Sequence, residues 1–370
     1  MGDLPASLLV LVYALSTALW VYSEALVASR VSVSLVGGFS VGLLGWAGVL
    51  IASLAKLPLS RLLSSPSSRR LALLLAAVLL SLSALVSWLN LGGALSYVIL
   101  YALVSAAYGL VAAAVFSTLL SDVDYLDWRS TIVSASIATY AVSLSILALW
   151  SLSSVSLAAP LAVASAILTA RLALSIRASL IPSIELKTVE VIADILSFRR
   201  SPEAYRMWYV DVAKLALILG GLGALKVTLL SSTVRDHGVT ALTAIAAGSL
   251  AASILAAQTL NTRLAALLAL PPAVSTLAGH QLPSLALAGL AITYSHLAVL
   301  TTILENRPKA VYRATAILSI ATALGAAIVS LTSLANPQIA SKTSTILTLT
   351  LLAITLTLTI KERRKPRWEN

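Results

Sequence analysis

Four ionisable residues lie inside long apolar runs: Glu24, Arg171, Lys214 and Lys226. If such a run crosses a bilayer, its charge needs an offset, because a charge at the bilayer centre costs about 2.5–3.5 kcal/mol on insertion scales. Arg171 and Lys214 fall about two turns from the ends of their runs. Long basic side chains can snorkel to the headgroups, and Lys214 has Asp211 three residues earlier as a local ion-pair partner. Glu24 and Lys226 differ from these two. They are opposite in charge, and each stands about one turn from the far edge of its run, at equivalent places in the two halves of the chain. They can offset each other, or each can reach the headgroups alone. Glu24 could also bind a coupling proton.

Polar and aromatic residues recur at helical spacing in the same kind of run. Tyr13, Thr17, Trp20 and Glu24 share one helical face, and so do Tyr97, Tyr101, Ser105 and Tyr108. A later run holds Tyr294 and His296 near its middle. Aromatic rings with hydroxyl tips suit an amphipathic or sugar-like solute in a half-dry cavity. The plainer alternatives are interfacial anchors for Tyr and Trp, and a core histidine bonded to a backbone carbonyl for His296. A third cluster, Asp122, Asp124 and Asp127, could hold Mg²⁺ for a transfer onto a lipid, although a second acidic cluster of the kind such sites need is missing. There are no cysteines and only three histidines, which excludes thiolate chemistry and leaves little room for a metal site. No H-E-x-x-H, P-loop or Ser-His-Asp pattern is present, so no cofactor and no ATP hydrolysis on this chain are expected.

The elements that position these residues are helices in lipid. Hydrophobic residues make up 59% of the chain and charged residues 11%, against about 25% charged in a soluble domain. Mean hydropathy is +0.97. In the hydrocarbon core every backbone polar group needs an internal partner, which leaves helices or a closed barrel. Long Leu/Ala/Val/Ser runs without two-residue alternation select helices. Expected spans are 4–28, 32–55, 71–89, 94–120, 131–152 and 157–176, then 208–231, 239–260, 264–280, 284–304, 314–335 and 342–360. Most have about the 20 residues that cross the core.

Between the sixth and seventh spans lies a polar stretch, 177–207, with an amphipathic helix opening at Pro182-Ser183 and ending at Arg199-Arg200. With the N-terminus in the cytoplasm, nineteen of the 25 Lys and Arg fall in cytoplasmic loops or the tail and three outside. That bias sets the orientation and accounts for the net charge of +11 through contact with anionic lipid heads, so nucleic acid is not an expected partner. The halves also repeat. Arg129-Ser-Thr-Ile and Arg313-Ala-Thr-Ala open equivalent spans, and both runs then reach Ser-Ile-Ala-Thr, at Ser136–Thr139 and Ser319–Thr322.

This layout resembles the major facilitator superfamily over nearly the whole chain. Leu57-Pro-Leu-Ser-Arg61 with Arg69-Arg70 is similar to the family's G-x-L-a-D-R-x-G-R-R loop, with Ser60 in place of Asp and leucines in place of Gly. Asp122 with Arg129, and Glu305-Asn-Arg-Pro308 with Arg313, match the exits of its fourth and tenth spans. The family's span-four Arg is replaced by Tyr101, and the fifth span lacks the pattern of drug/proton antiporters.

The resemblance implies an all-α polytopic membrane protein. Two six-helix bundles, 1–176 and 208–370, are related by a pseudo-twofold and joined by a cytoplasmic linker. It implies a secondary or facilitative transporter, not an enzyme, that moves a small solute by alternating access. Membrane lipids are the other partners, with a proton or sodium ion as the possible coupling ion. The chain is expected as a monomer in the cell membrane with both termini cytoplasmic. It places Tyr13, Thr17, Trp20, Tyr97, Tyr101, Tyr108, Lys214, Tyr294 and His296 around a substrate cavity. Arg61, Asp122 and Arg129 then govern conformational balance. The family's first and seventh helices approach at the outer side when the cavity opens inward, so Glu24 and Lys226 are expected to form the outer gate.

The topology has a direct check. Reporters fused at Ser65, at Thr188 and after Asn370 are expected to read cytoplasmic, and one at His237 external. An odd number of crossings between any two of the first three sites would break the six-plus-six arrangement.

Overall fold

In the computed structural model, residues 6–34, 65–89, 93–122, 128–152, 157–176, 204–306, 318, 320–329, 331 and 337–363 are described. Among them every regular element is helical. The first half holds α1 (Ala6–Ser34), α2 (Pro66–Leu89), α3 (Ala94–Asp122), α4 (Trp128–Leu152) and α5 (Ala158–Ser175). The second holds α6 (Ala204–His237), α7 (Val239–Gln258), α8 (Thr262–Leu268), α9 (Leu270–Leu277), α10 (Gln281–Asn306), α11 (Ile320–Val329) and α12 (Pro337–Arg363). Among the described residues, eight helices are long and apolar enough to cross a membrane. The chain is a multi-pass membrane protein.

Local sequence sets the helix ends. Pro66 takes the first helical position of α2, where a missing N–H costs nothing, and the Ser65 hydroxyl accepts from the Ser68 N–H at 3.2 Å. Asn261 caps α8 by accepting from the Arg263 N–H at 2.8 Å. Gly238 joins α6 to α7 with φ +54° and ψ −126°, a conformation that L side chains rarely adopt. The expected span 264–280 is broken into α8 and α9 at Ala269. Pro271 and Pro272 bring no N–H for the Leu267 and Leu268 carbonyls, so the ladder cannot continue through them. The first span is also longer than expected and runs through Arg30 to Ser34.

Many Ser and Thr of these helices spend their donor on their own backbone, although the buried Ser16, Ser165, Thr169 and Ser295 hydroxyls have no hydrogen-bond partner among the described residues. Thr17, Thr118, Thr139, Ser143, Thr301 and Thr355 each donate to the carbonyl four residues back, at 2.7–2.9 Å. Small residues let the helices approach. The α7 and α10 helices pack closely enough that a Cβ on Gly248 would overlap the Ala286 carbonyl and one on Gly289 would overlap the Ile245 carbonyl.

Each half has the same neighbour pattern. In the first, α1 packs on α3 and α5, and α2 on α3 and α5. In the second, α6 packs on α10 and α12, and α8 and α9 on α10 and α12. Between the halves, α4 packs on α7 and α10, while α1 touches α6 and α7. The seam between α4 and α7 carries a buried hydroxyl contact, Ser136 Oγ to Ser253 Oγ at 2.7 Å. Near the ends of α1 and α4, Ala25 and Leu147 join Leu225, Leu229, Leu230, Leu242 and Leu285 in one apolar cluster. That cluster packs helices of the two halves together at that end. The second expected span, the glycines from Gly37 to Gly48, Arg61, Asp124, Asp127, the linker helix and the last seven residues lie outside the described residues.

Candidate functional site

A cavity of about 270 Å³ lies between the halves, lined by α1, α3 and α4 on one side and by α6, α7, α10 and α11 on the other. Its position follows from the seam. The halves touch along α4 and α7 and through the apolar cluster at one end, and a space remains at mid-height where α1 and α3 face α10.

One wall is aromatic. Trp20 stacks on Tyr108 with ring centroids 5.0 Å apart and planes 8° from parallel, and Tyr13 lies tilted against Tyr108 at 6.2 Å. The Tyr13 and Tyr108 hydroxyls are 3.4 Å apart. The Trp20 Nε1–H donates to Ser105 Oγ at 3.1 Å, which fixes the indole across α3. The opposite wall is mostly apolar with scattered hydroxyls. Thr293 donates to the Tyr140 hydroxyl at 3.2 Å, tying α10 to α4. His296 lines the cavity with Nδ1 2.9 Å from the Ile292 carbonyl. A carbonyl only accepts, so Nδ1 carries the proton in that contact.

Lys226 Nζ meets Glu24 Oε1 at 3.3 Å, from α6 to α1 across the two halves. Their side chains keep only 23% and 13% of their exposure, and both line the cavity. Among the described lining residues these two carry the only formal charges, and each faces the other.

The face of α1 foreseen in the sequence meets the cavity as a unit: Tyr13, Thr17, Trp20 and Glu24 all line it. The face of α3 does not. Tyr108 lines the cavity, while Tyr101 is buried against Val27, and Tyr97 packs beside it. The cause is Trp20, whose indole bonds Ser105 and lies over that part of α3. Tyr294 is also away from the lining. It is fully buried, donates to the Thr259 carbonyl at 2.8 Å and accepts from the Asn261 N–H at 3.1 Å, closing the turn between α7 and α8. Tyr22 does the same job in the first half, accepting from the Leu157 N–H at 3.0 Å. Lys214 is buried about 18 Å along α6 from Lys226, outside the lining. Asp122 closes α3 and Arg129 stands in the first turn of α4, at the end of the molecule away from Glu24.

Sequence reasoning missed α4. Thr131, Ser136, Thr139 and Tyr140 line the cavity, and so do Ser249 on α7 and Thr322 on α11. In the sequence this part of α4 stands out only through the repeated Ser-Ile-Ala-Thr, because hydroxyls recur throughout these spans.

Comparison with solved structures identifies the architecture. The human organic anion transporter MFSD10 superposes with a TM-score of 0.66 at 16% identity, over 95% of this chain and 100% of that one. The xylose transporter XylE from E. coli, in a partially occluded inward-open conformation, gives 0.63 at 15% identity over 96% and 98%. The E. coli fucose:proton symporter FucP gives 0.60 at 13% identity over 96% and 98%. The chain has the major facilitator superfamily fold. No protein-family model and no curated protein matches the sequence.

The reassignment of Tyr294 is testable. Tyr294→Phe leaves the Asn261 N–H and the Thr259 carbonyl without their buried partner, at a cost of about 1–3 kcal/mol. Thermal unfolding in detergent should show that loss, while ligand affinity stays at the wild-type value. Reduced affinity with unchanged stability would return Tyr294 to the site.

Proposed function

We propose that the chain is a transporter that carries a small solute across the membrane by alternating access, with its two halves rocking about the central cavity. The observation that carries this reading is the cavity between the halves, bridged by an ion pair that belongs to neither half alone. A static channel needs no such latch. The fold likeness supports the same reading, since its solved examples include transporters of an organic anion, xylose and fucose.

The Glu24–Lys226 pair acts as the latch at the outer end. Formed, it offsets two charges that would each be costly near the lipid core, and it holds α1 against α6. Broken, both groups are wetted by the opened vestibule, so the two states stay within reach of each other in energy. His296 and the hydroxyls of α4 and α10 sit where a solute at mid-height would meet them. With the chain oriented by its basic loops, the latched end faces outward and both termini are cytoplasmic.

Reconstitution tests the reading. Proteoliposomes should show protein-dependent, saturable flux of at least one member of a small-solute panel, run with and without a proton gradient. Glu24→Lys and Lys226→Glu should each abolish most of that flux by placing like charges at the latch, and the double swap should recover much of it. Flux that is absent throughout, or a double swap no better than either single variant, would contradict the proposal.

A further inference from the structure

The charge balance of the cavity carries a second conclusion, about what enters it; it rests on reading this cavity as the solute site. We infer that Glu24 and Lys226 also act as a charge filter. The cavity takes uncharged amphipathic solutes that bring hydrogen-bond donors and a flat apolar face, and it rejects anions and cations.

The filter follows from what each polar group is already doing. Lys226 is the lining's cation among the described residues, and it is held by Glu24. An anion that pairs with Lys226 competes with Glu24 for the ammonium, and full displacement leaves a carboxylate that is only 13% exposed without its partner. A cation faces the mirror-image penalty at Lys226. Removing one partner of a buried pair is far costlier than removing both, so the pair discriminates by what it makes the wrong solute break.

The threonine hydroxyls point the same way, whereas Tyr140, the acceptor in its bond with Thr293, keeps its own O–H as a donor toward a neutral solute's oxygen. Thr17 donates to the Tyr13 carbonyl, Thr139 to the Ala135 carbonyl and Thr322 to the Leu318 carbonyl, at 2.7–2.8 Å. Thr293 donates to Tyr140, and the His296 Nδ1–H faces the Ile292 carbonyl. With these protons committed, what those threonines offer a solute is lone pairs. Lone pairs repel an anion that has shed its water, and they accept from a hydroxyl or an N–H. The Trp20–Tyr108 stack supplies the flat apolar surface against which the rest of such a solute can lie. A neutral solute also leaves the latch free to re-form over it, whereas an anion on Lys226 or a cation on Glu24 holds the halves apart.

Three probes sharing one ring separate the cases: phenethyl alcohol, phenylacetate and phenethylamine, titrated against the purified full chain in detergent by tryptophan fluorescence and calorimetry. Wild type should bind the alcohol most tightly. Glu24→Gln should shift preference toward phenylacetate, and Lys226→Gln toward phenethylamine, each by about tenfold or more relative to the alcohol. The double swap Glu24→Lys/Lys226→Glu restores neutrality and should restore preference for the alcohol. Wild type binding either charged probe as tightly as the alcohol, no saturable binding of any probe, or single variants that keep the wild-type order would each overturn the filter. Should a single variant fail to fold, the order in wild type and in the double swap decides. Binding in the expected order by a protein that carries no flux would keep the filter and reject the transporter reading.

Discussion

A charge in an apolar medium must be matched locally, and here the match is made across the gap between two halves. Glu24 sits on α1 and Lys226 on α6, and neither helix supplies the partner for its own charge in this contact. Fully buried, either residue alone would cost several kcal/mol. Their pairing therefore ties the solvation of each half to the position of the other. The apolar cluster around Leu225, Leu229 and Leu242 reinforces the same end, but apolar contact between helices gains little in lipid, where tails are as apolar as leucine. The ion pair is the directional element.

The rest of the architecture makes that contact reversible. Many threonines and serines bond back to their own helices, and the polar ties between the halves among the described residues include the α4–α7 hydroxyl contact, Thr293 with Tyr140, and the ion pair. Within each half, by contrast, buried tyrosines lock neighbouring helix ends, Tyr22 in the first and Tyr294 in the second. Strong ties inside the halves and sparse ties between them are what rigid-body rocking requires.

Much of this was legible in the chain because lipid imposes a narrow grammar. Composition gave the class, and run lengths matched the eight membrane-crossing helices among the described residues. The α1 stripe was readable because Tyr13, Thr17, Trp20 and Glu24 recur at helical spacing on one side of an otherwise apolar helix. What failed were judgements of contact. Periodicity put Tyr101 on a face with Tyr108, yet it could not show that the Trp20 ring would lie between Tyr101 and the cavity. Nor could it show that Tyr294 turns away to cap a neighbouring helix while His296, two residues on, lines the cavity. The break at Ala269 was written in Pro271-Pro272, but hydropathy runs over prolines without registering them. Ser136 and Thr139 escaped because hydroxyls are common throughout these spans, and only the packing of α4 on α7 selects these two.

The latch itself is most directly tested by distance. The chain has no cysteine, so a single introduced pair labels uniquely. Ser151 at the end of α4 and Thr240 at the start of α7 are exposed and lie on opposite halves at the latched end. Spin labels at those two positions in the otherwise wild-type chain should give a distance distribution dominated by one short population. Adding Glu24→Gln should build a second, longer population, because the ion pair then no longer holds α1 to α6. A distribution that stays the same with and without the Glu24 carboxylate would contradict the account, leaving the ion pair as a passive neutralisation of two charges.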